Sequence, residues 1–469
     1  MLKRCLGILE AITGDKMTDT KRIKAGKLID SLKVRLEKTS LDVFEIFFIN
    51  HDKMIVEARD GAVDSFSCST RMGVALRAVK DKKMGFSSST DFSDDAQNRI
   101  VQNLLASVNS VALSDEAIIS DEHCECHAID ENLGRPLDAI SESEKIAIAV
   151  SLEKETKAFD SRVKRIRQPV YEENIRHVII LNSTGLQREF KRGVASCEVR
   201  AIAELNNRSE SGWEHSFSPN FDDLDVRGTA ERASKRALAL LGATTLKTGR
   251  YDVVFDTRAA SQLIRLITPS FFASNVQRNK SALAGKKDSF EYSKLVTIVD
   301  HGLLPNGFSS FLFDDEGMPT GMNYLVKDGT ISGWLYDSAK AKKDNTKSTG
   351  NSFRSSIHHP PAIDVSNCYL CSGNTPVKKI YTMAEGGVLI TGLMGLHTAN
   401  VITGDFSLGA EGFIIKDGVV SQPIRGVLVA GNLHELFKNI VAVGDDLDFS
   451  ANFGSPSILI PDLQISGEG

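Results

Sequence analysis

An α+β fold, with runs of strands and segregated helices in place of alternating strand and helix units, is what this chain of 469 residues predicts. Three observations carry that expectation. Apolar stripes at helical spacing flank groups of short β-branched segments twice before residue 245. From Gly249 onward glycines, β-branched residues and turn dipeptides dominate. The length also exceeds what one hydrophobic core ordinarily serves, so more than one domain is expected.

The first element is a helix over 20–38, where Ala25, Leu28, Ile29, Leu32 and Leu36 share one face. Short strands over 43–49, 53–58, 73–79 and 83–88 follow, punctuated by Asp60-Gly61 and Asp81, as in an antiparallel meander. Ala96, Ile100, Val101, Leu104, Leu105 and Val108 stripe a second helix, with Ser93 or Asp94 placed to cap it. A polar stretch over 114–136 reads as loop. The theme then repeats: a helix over 143–159, strands between 170 and 216, and a helix over 225–241 closed by Gly242. The two strand-meander and helix units are therefore read as a duplication, followed by a β-rich C-terminal domain, with divisions at 1–115, 116–245 and 246–469. In that last domain a single strong helix over 257–274 precedes a succession of strands. Asn306-Gly307, Glu316-Gly317, Asp328-Gly329 and Asp417-Gly418 place hairpins there, the last with the clearest flanking strands.

Lys and Arg number 56 against 61 Asp and Glu, a formal charge of -5, so no global basic field points to direct nucleic-acid binding. The longest apolar runs, such as 427–430, are strand-sized, which predicts no membrane span. The first ten residues pair Lys3-Arg4 with a short apolar patch and read as a poor signal peptide. Seven cysteines scattered over a long chain are not a disulfide framework, and a reducing cytoplasm is the expected location.

Several clusters have chemistry to offer. The stretch from Gly392 to Gly412 sets His397, Thr398, Asn400, Thr403, Asp405 and Ser407 among glycines. It suits either close approach of a partner's main chain or a pair of hairpins with polar tips. The segment 340–351, including Ser348, Thr349, Gly350 and Asn351, is basic and small-residue-rich and leads to Arg354. It reads as an anion-binding loop or as a solvated one. His123-Cys124-Glu125-Cys126-His127 has metal-binding atoms, yet ligands this close in sequence need a second pair from elsewhere. Cys368 and Cys371 have a zinc or redox spacing, but their segment reads as a strand, in which residues three apart point to opposite faces. His434-Glu435 lacks the second histidine of a zinc-binding helix, and no serine lies in a nucleophile elbow.

One likeness covers the chain from about Leu41 to its end. The run Gly395-Leu-His-Thr-Ala-Asn400, Thr403-Gly-Asp-Phe-Ser407, Gly431-Asn432-Leu433 and the closing 454–460 segment resemble the C-terminal signature of the TldD/PmbA family, in its PmbA (TldE) branch. Asp64-Ser65-Phe66, 71–77, 86–90, 313–320 and Ser348-Thr349-Gly350-Asn351 with Arg354 stand in the family's order upstream. In the sister TldD branch a His-Glu-x-x-x-His helix binds zinc. The corresponding span here, 257–280, contains no His, Glu, Asp or Cys, and no cysteine follows Cys371.

The resemblance therefore implies a cytoplasmic subunit with no catalytic residue and no metal of its own. It would pair with a zinc-bearing TldD-type subunit in a heterodimer, or with itself, to enclose a chamber for cleaving unfolded peptides. The family is implicated in maturing a peptide antibiotic precursor and in degrading an antitoxin. Ser348, Thr349, Gly350, Asn351, Arg354, His397, Thr398, Asn400, Asp405 and Ser407 are the implied substrate-passage residues. The alternatives are a homo-oligomeric peptide-binding or gyrase-modulating module without proteolysis, and a metalloenzyme built on His123 to His127.

Overall fold

The computed structural model describes residues 19–122, 124–130 and 133–467. After a helix over Asp19–Glu37, strands β1 (Val43–Arg59), β2 (Ala62–Lys80) and β3 (Lys83–Ser89) form a meander, and a helix over Asp94–Ser110 follows. The order then recurs: helix Glu142–Ala158, strands β4 (Val163–Asn182), β5 (Gln187–Leu205) and β6 (Arg208–Ser218), helix Val226–Ala239. Ser93 caps the second helix by accepting from the Ala96 N–H, and Ser141 with Glu144 forms a capping box on the third.

The two units share one sheet. Strand order is β3-β2-β1-β4-β5-β6, antiparallel throughout, because β1 and β4 pair over thirteen residues from Glu45↔Asn182 to Glu57↔Val170. The separate strands expected over 43–49 and 53–58 are one strand. The polar run Asn50-His51-Asp52 does not turn the chain, since each residue finds partners on both β2 and β4. The turn comes instead at Asp60-Gly61, with φ of 54° and 76°, the left-handed pair that a two-residue hairpin needs.

Alternation along β1 explains the layering. Phe44, Ile46 and Phe48 face the helices with Val74, Leu76, Ile100 and Leu104. Phe47, with Ala75, Val178 and Ile180, faces the other way and packs on Phe313 and Met318 of the C-terminal domain. Where these residues lie, the sheet is thus a middle layer, buried on both faces.

In the C-terminal domain, strands Val419–Asn432, Asp405–Lys416, Val388–Met394, Gly249–Phe255 and Ile458–Ser466 pair in that order, and the last pairs back to the first, closing a barrel. A second, open sheet runs from Thr330–Ile331 through Met322–Lys327, Ile298–His301, Cys368–Leu370 and Phe453–Ser455 to Asp448–Ser450. Helix Thr257–Ile267 lies between them, with Ala259, Ala260, Leu263, Ile264 and Ile267 buried. The helix expected over 257–274 stops at Ile267. Pro269 cannot donate to the ladder, and the chain continues as a 3₁₀ turn over Thr268–Phe271 and a short helix over Ala273–Val276. Asp417-Gly418 and Asp328-Gly329 make the expected hairpins. Asn306-Gly307 does not, because it sits in a run of turns where Gly307 packs on Ser310 and Asn367 and no strand flanks it.

Candidate functional site

The face of the middle sheet turned to the C-terminal domain carries charge as well as hydrocarbon. Arg77 of β2 makes two hydrogen bonds to Glu45 of β1, at 2.9 and 2.5 Å, and a third to Glu316 at 2.8 Å. Arg354 reaches the same Glu45 at 3.0 Å, and its guanidinium lies over the rings of Phe47 and Phe86. Arg176 of β4 pairs with Asp315 at 2.5 Å. The centre of this junction is dry: the side chains of Arg354 and Glu45 are 3% and 1% exposed. Burial works against the charge of Arg77, but Glu45 and Glu316 outweigh it and raise its pKa. Burial, aided by nearby Arg77, lowers that of Arg354 to about 10, so it stays charged at neutral pH. Burial and Glu316 together push the carboxyl of Asp314 well above its usual range.

Arg354 is part of this junction, and Ser348, Thr349, Gly350 and Asn351 lead up to it, held within the C-terminal domain. Gly350 adopts φ +70°, and a Cβ there would lie 2.2 Å from the Pro319 carbonyl oxygen. Thr349 Oγ1 accepts from the Tyr336 N–H at 2.8 Å, and Ser348 Oγ donates to the Tyr336 carbonyl. Asn351 is fully buried and donates to Asp300 at 2.7 Å. The segment is neither simply a solvated loop nor a cluster of free cations. Its tip over 342–347 is exposed, Ser338–Lys343 is a short helix, and Lys340 is buried against Glu116.

His397, Thr398, Asn400, Asp405 and Ser407 gather elsewhere, at an exposed turn between barrel strands. Asn400 Oδ1 accepts from the amides of Ile402 and Thr403 at 3.0 and 3.2 Å. Asn432 donates to the Thr403 carbonyl and to Asp405, and the bond to Asp405, with that from the Thr403 hydroxyl, holds the Asp405 carboxyl below its usual range. Thr398 Oγ1 donates to the Gly395 carbonyl. Gly404, at φ +85°, makes room for His434, whose Nδ1 bonds the Tyr292 hydroxyl at 2.8 Å. This is a hairpin with a polar tip, and each of the two residue groups is held by its own set of bonds.

Zinc does not fit the helix Thr257–Ile267. Its inward side chains are mostly aliphatic, and the helix has no imidazole, carboxylate or thiol to give an electron pair to a cation. Among the described residues no group of three or more His, Cys, Asp or Glu side chains is placed to hold a metal ion. His123 lies outside the described residues; Cys124 and His127 are exposed. Cys368 is buried 3.6 Å from Thr268 Oγ1, burial raises the thiol pKa of both Cys368 and Cys371, and Cys371 follows the end of its strand.

A cleft of about 780 Å³ opens beside the charged junction, between the sheet and the loop that follows Arg354. Sequence reading missed its cationic wall. Register puts Arg71 opposite His51, His51 opposite Arg176, and Arg176 opposite Arg192, one row across four strands. A clue was present, since Phe47, Ile49 and His51 alternate along one strand, but nothing local says which strands are neighbours.

Residues 248–467, 135–241 and 44–112 match family profiles described as the PmbA/TldA metallopeptidase C-terminal domain, central domain and domain 1. The chain is 27% identical over 418 residues to a protein named Metalloprotease PmbA from Escherichia coli O157:H7, covering 88% of this chain and 90% of that one. A solved structure from Thermotoga maritima, described as a candidate modulator of a DNA gyrase, is 26% identical and superposes with a TM-score of 0.86 over 94% of this chain and 100% of its own. The fold is also that of TldE from Thermococcus kodakarensis, with a TM-score of 0.83, 21% identity and coverage of 94% and 100%.

Proposed function

The chain belongs to the TldD/PmbA metallopeptidase family, and from that premise we propose that it is the member of a two-subunit peptidase that carries no metal. It pairs with a zinc-bearing TldD-type subunit, shapes and gates the chamber between them, and admits unfolded peptides. One observation carries this reading: the helix that would hold zinc in the sister branch is here Thr257–Ile267, packed between two sheets and built without a single His, Glu, Asp or Cys. A β-rich wall can hold extended chains by main-chain pairing with little regard to sequence, which suits an unfolded substrate. Ser348 to Asn351 with Arg354, and the turn carrying His397, Thr398, Asn400, Asp405 and Ser407, are proposed to line the passage.

The cytoplasm is the proposed location. The six cysteines of the described residues are all free thiols, and among the described residues no helix is long and apolar enough to cross a membrane. The test is to purify this chain alone, the zinc-bearing TldD-type partner alone, and the two together, and to assay metal content and cleavage of an unfolded peptide. We expect about one zinc per pair, cleavage by the pair that chelator abolishes, and neither property in this chain by itself. Stoichiometric zinc with chelator-sensitive cleavage in the isolated chain would sink the proposal.

A second reading, a self-associating regulatory or peptide-holding module, draws on the description of the Thermotoga relative. It predicts a homo-oligomer that binds peptide and adds nothing to the partner's cleavage.

A further inference from the structure

The cationic row is hard to explain as scaffolding. Arg71 and Arg176 flank His51 in one row, and Arg176 stands directly opposite Arg192; like charges so placed on neighbouring strands repel. Asp315 compensates Arg176 and Glu45 compensates Arg354, yet the Nε of each of these two arginines is buried without a hydrogen-bond partner. Arg71 has no ion-pair partner among the described residues. His51 Nε2 donates to Asn174 Oδ1 at 3.1 Å, and burial, with Arg176, Lys53 and Arg71, lowers its pKa against the opposing effect of that bond. No Asp or Glu lines the cleft; its hydroxyl groups come from Thr70, Thr90, Ser355 and Ser356. Apolar side chains share the lining: Phe47, Ile49, Met72, Phe92 and Ile357.

The loop that roofs the cleft is fixed. Ile357 packs so closely on Gly73 that a Cβ there would lie 2.8 Å from its Cγ1, and His358 Nδ1 meets the Ser88 hydroxyl at 3.1 Å. The volume lies in the range of small-ligand pockets.

We propose that this cleft binds the free C-terminal carboxylate of a peptide, with Arg71 as the principal anchor and the terminal side chain against Phe47, Met72, Phe92 and Ile357. One uncompensated guanidinium calls for a monoanion, and the apolar lining calls for a hydrocarbon group beside it. Phosphate meets the first condition poorly and the second not at all. The choice of a peptide rests on the proposed function; the cationic cleft does not.

The test uses the full chain without its partner and three probes: a short peptide ending in phenylalanine, the same peptide as its C-terminal amide, and inorganic phosphate. Calorimetry should show binding of the free acid that weakens with added salt, and roughly tenfold or more weaker binding of the amide and of phosphate. Arg71 is exposed, so Arg71→Gln should fold normally and weaken the acid by roughly 10–100-fold, while Arg71→Lys keeps some of the affinity. The His51 imidazole, followed by NMR, should titrate at higher pH when the acid is bound, because an added anion favours the imidazolium. Equal binding of acid and amide, tighter binding of phosphate, or no binding at millimolar peptide would overturn the proposal. Failure here while the chain still stimulates its partner removes only the carboxylate site. Binding here with no stimulation removes only the pairing.

Discussion

At the scale of single residues, Glu45 holds the junction together. It pairs with two buried arginines; Arg77 keeps Glu316, but Glu45→Gln leaves Arg354 without its carboxylate partner in a dry environment, and urea denaturation should show a loss of about 3–5 kcal/mol. A loss under about 1 kcal/mol would mean that water reaches the site. Asp300 gives a prediction of pH dependence. Burial raises its pKa to about 6, while Asn351 and the Ser366 amide oppose that rise. A carboxyl whose folded pKa lies above its unfolded value of 3.8 binds its proton more tightly when folded. Its contribution to stability is full below the unfolded pKa and lost as pH rises through about 6. The urea midpoint of Asp300→Asn, whatever its absolute value, should therefore decline less between about pH 4 and pH 6 than that of the unaltered chain.

At the scale of elements, local signals placed most helices and turns. Ser93 and Ser141 cap helices because a hydroxyl before an apolar stripe satisfies amides that the helix leaves open. The Asp417-Gly418 hairpin follows from two residues that tolerate positive φ, at 54° and 67°. The lengths of β1 and β2 escaped, because strand continuity through polar residues depends on neighbours at both edges. Helix Thr257–Ile267 shows a consequence of burial between two sheets. Leu263→Ala should cost about 2–5 kcal/mol by thermal or urea denaturation, since rigid walls on either side cannot collapse into the cavity. The signature turn is more local. Asn400→Ala frees the amides of Ile402 and Thr403, so those two should exchange their hydrogens faster while amides of the barrel strands do not change.

At the scale of the whole molecule, the middle sheet ties the chain together. Phe47, Val178 and Ile180 pack against Phe313 and Met318, and the charged junction crosses the same boundary. A chain nicked in the connection between Ala239 and Gly249 should consequently run as one particle on gel filtration, and Glu45→Gln should make it separate at lower urea. The amino-acid sequence by itself determined the α+β class, the two helix-and-meander units, the Ser93 cap, the Asp328-Gly329 and Asp417-Gly418 hairpins, and a helix without metal-binding side chains. Each of these is written in residues close enough to be read as a period, a dipeptide or a side-chain inventory. Only the tertiary structure decided that Glu45 meets Arg354, 309 residues away, and that Arg71, His51 and Arg176 form one row. Which strands lie side by side, and which face is covered by what, depends on burying surfaces far apart in the chain, and no local pattern records that.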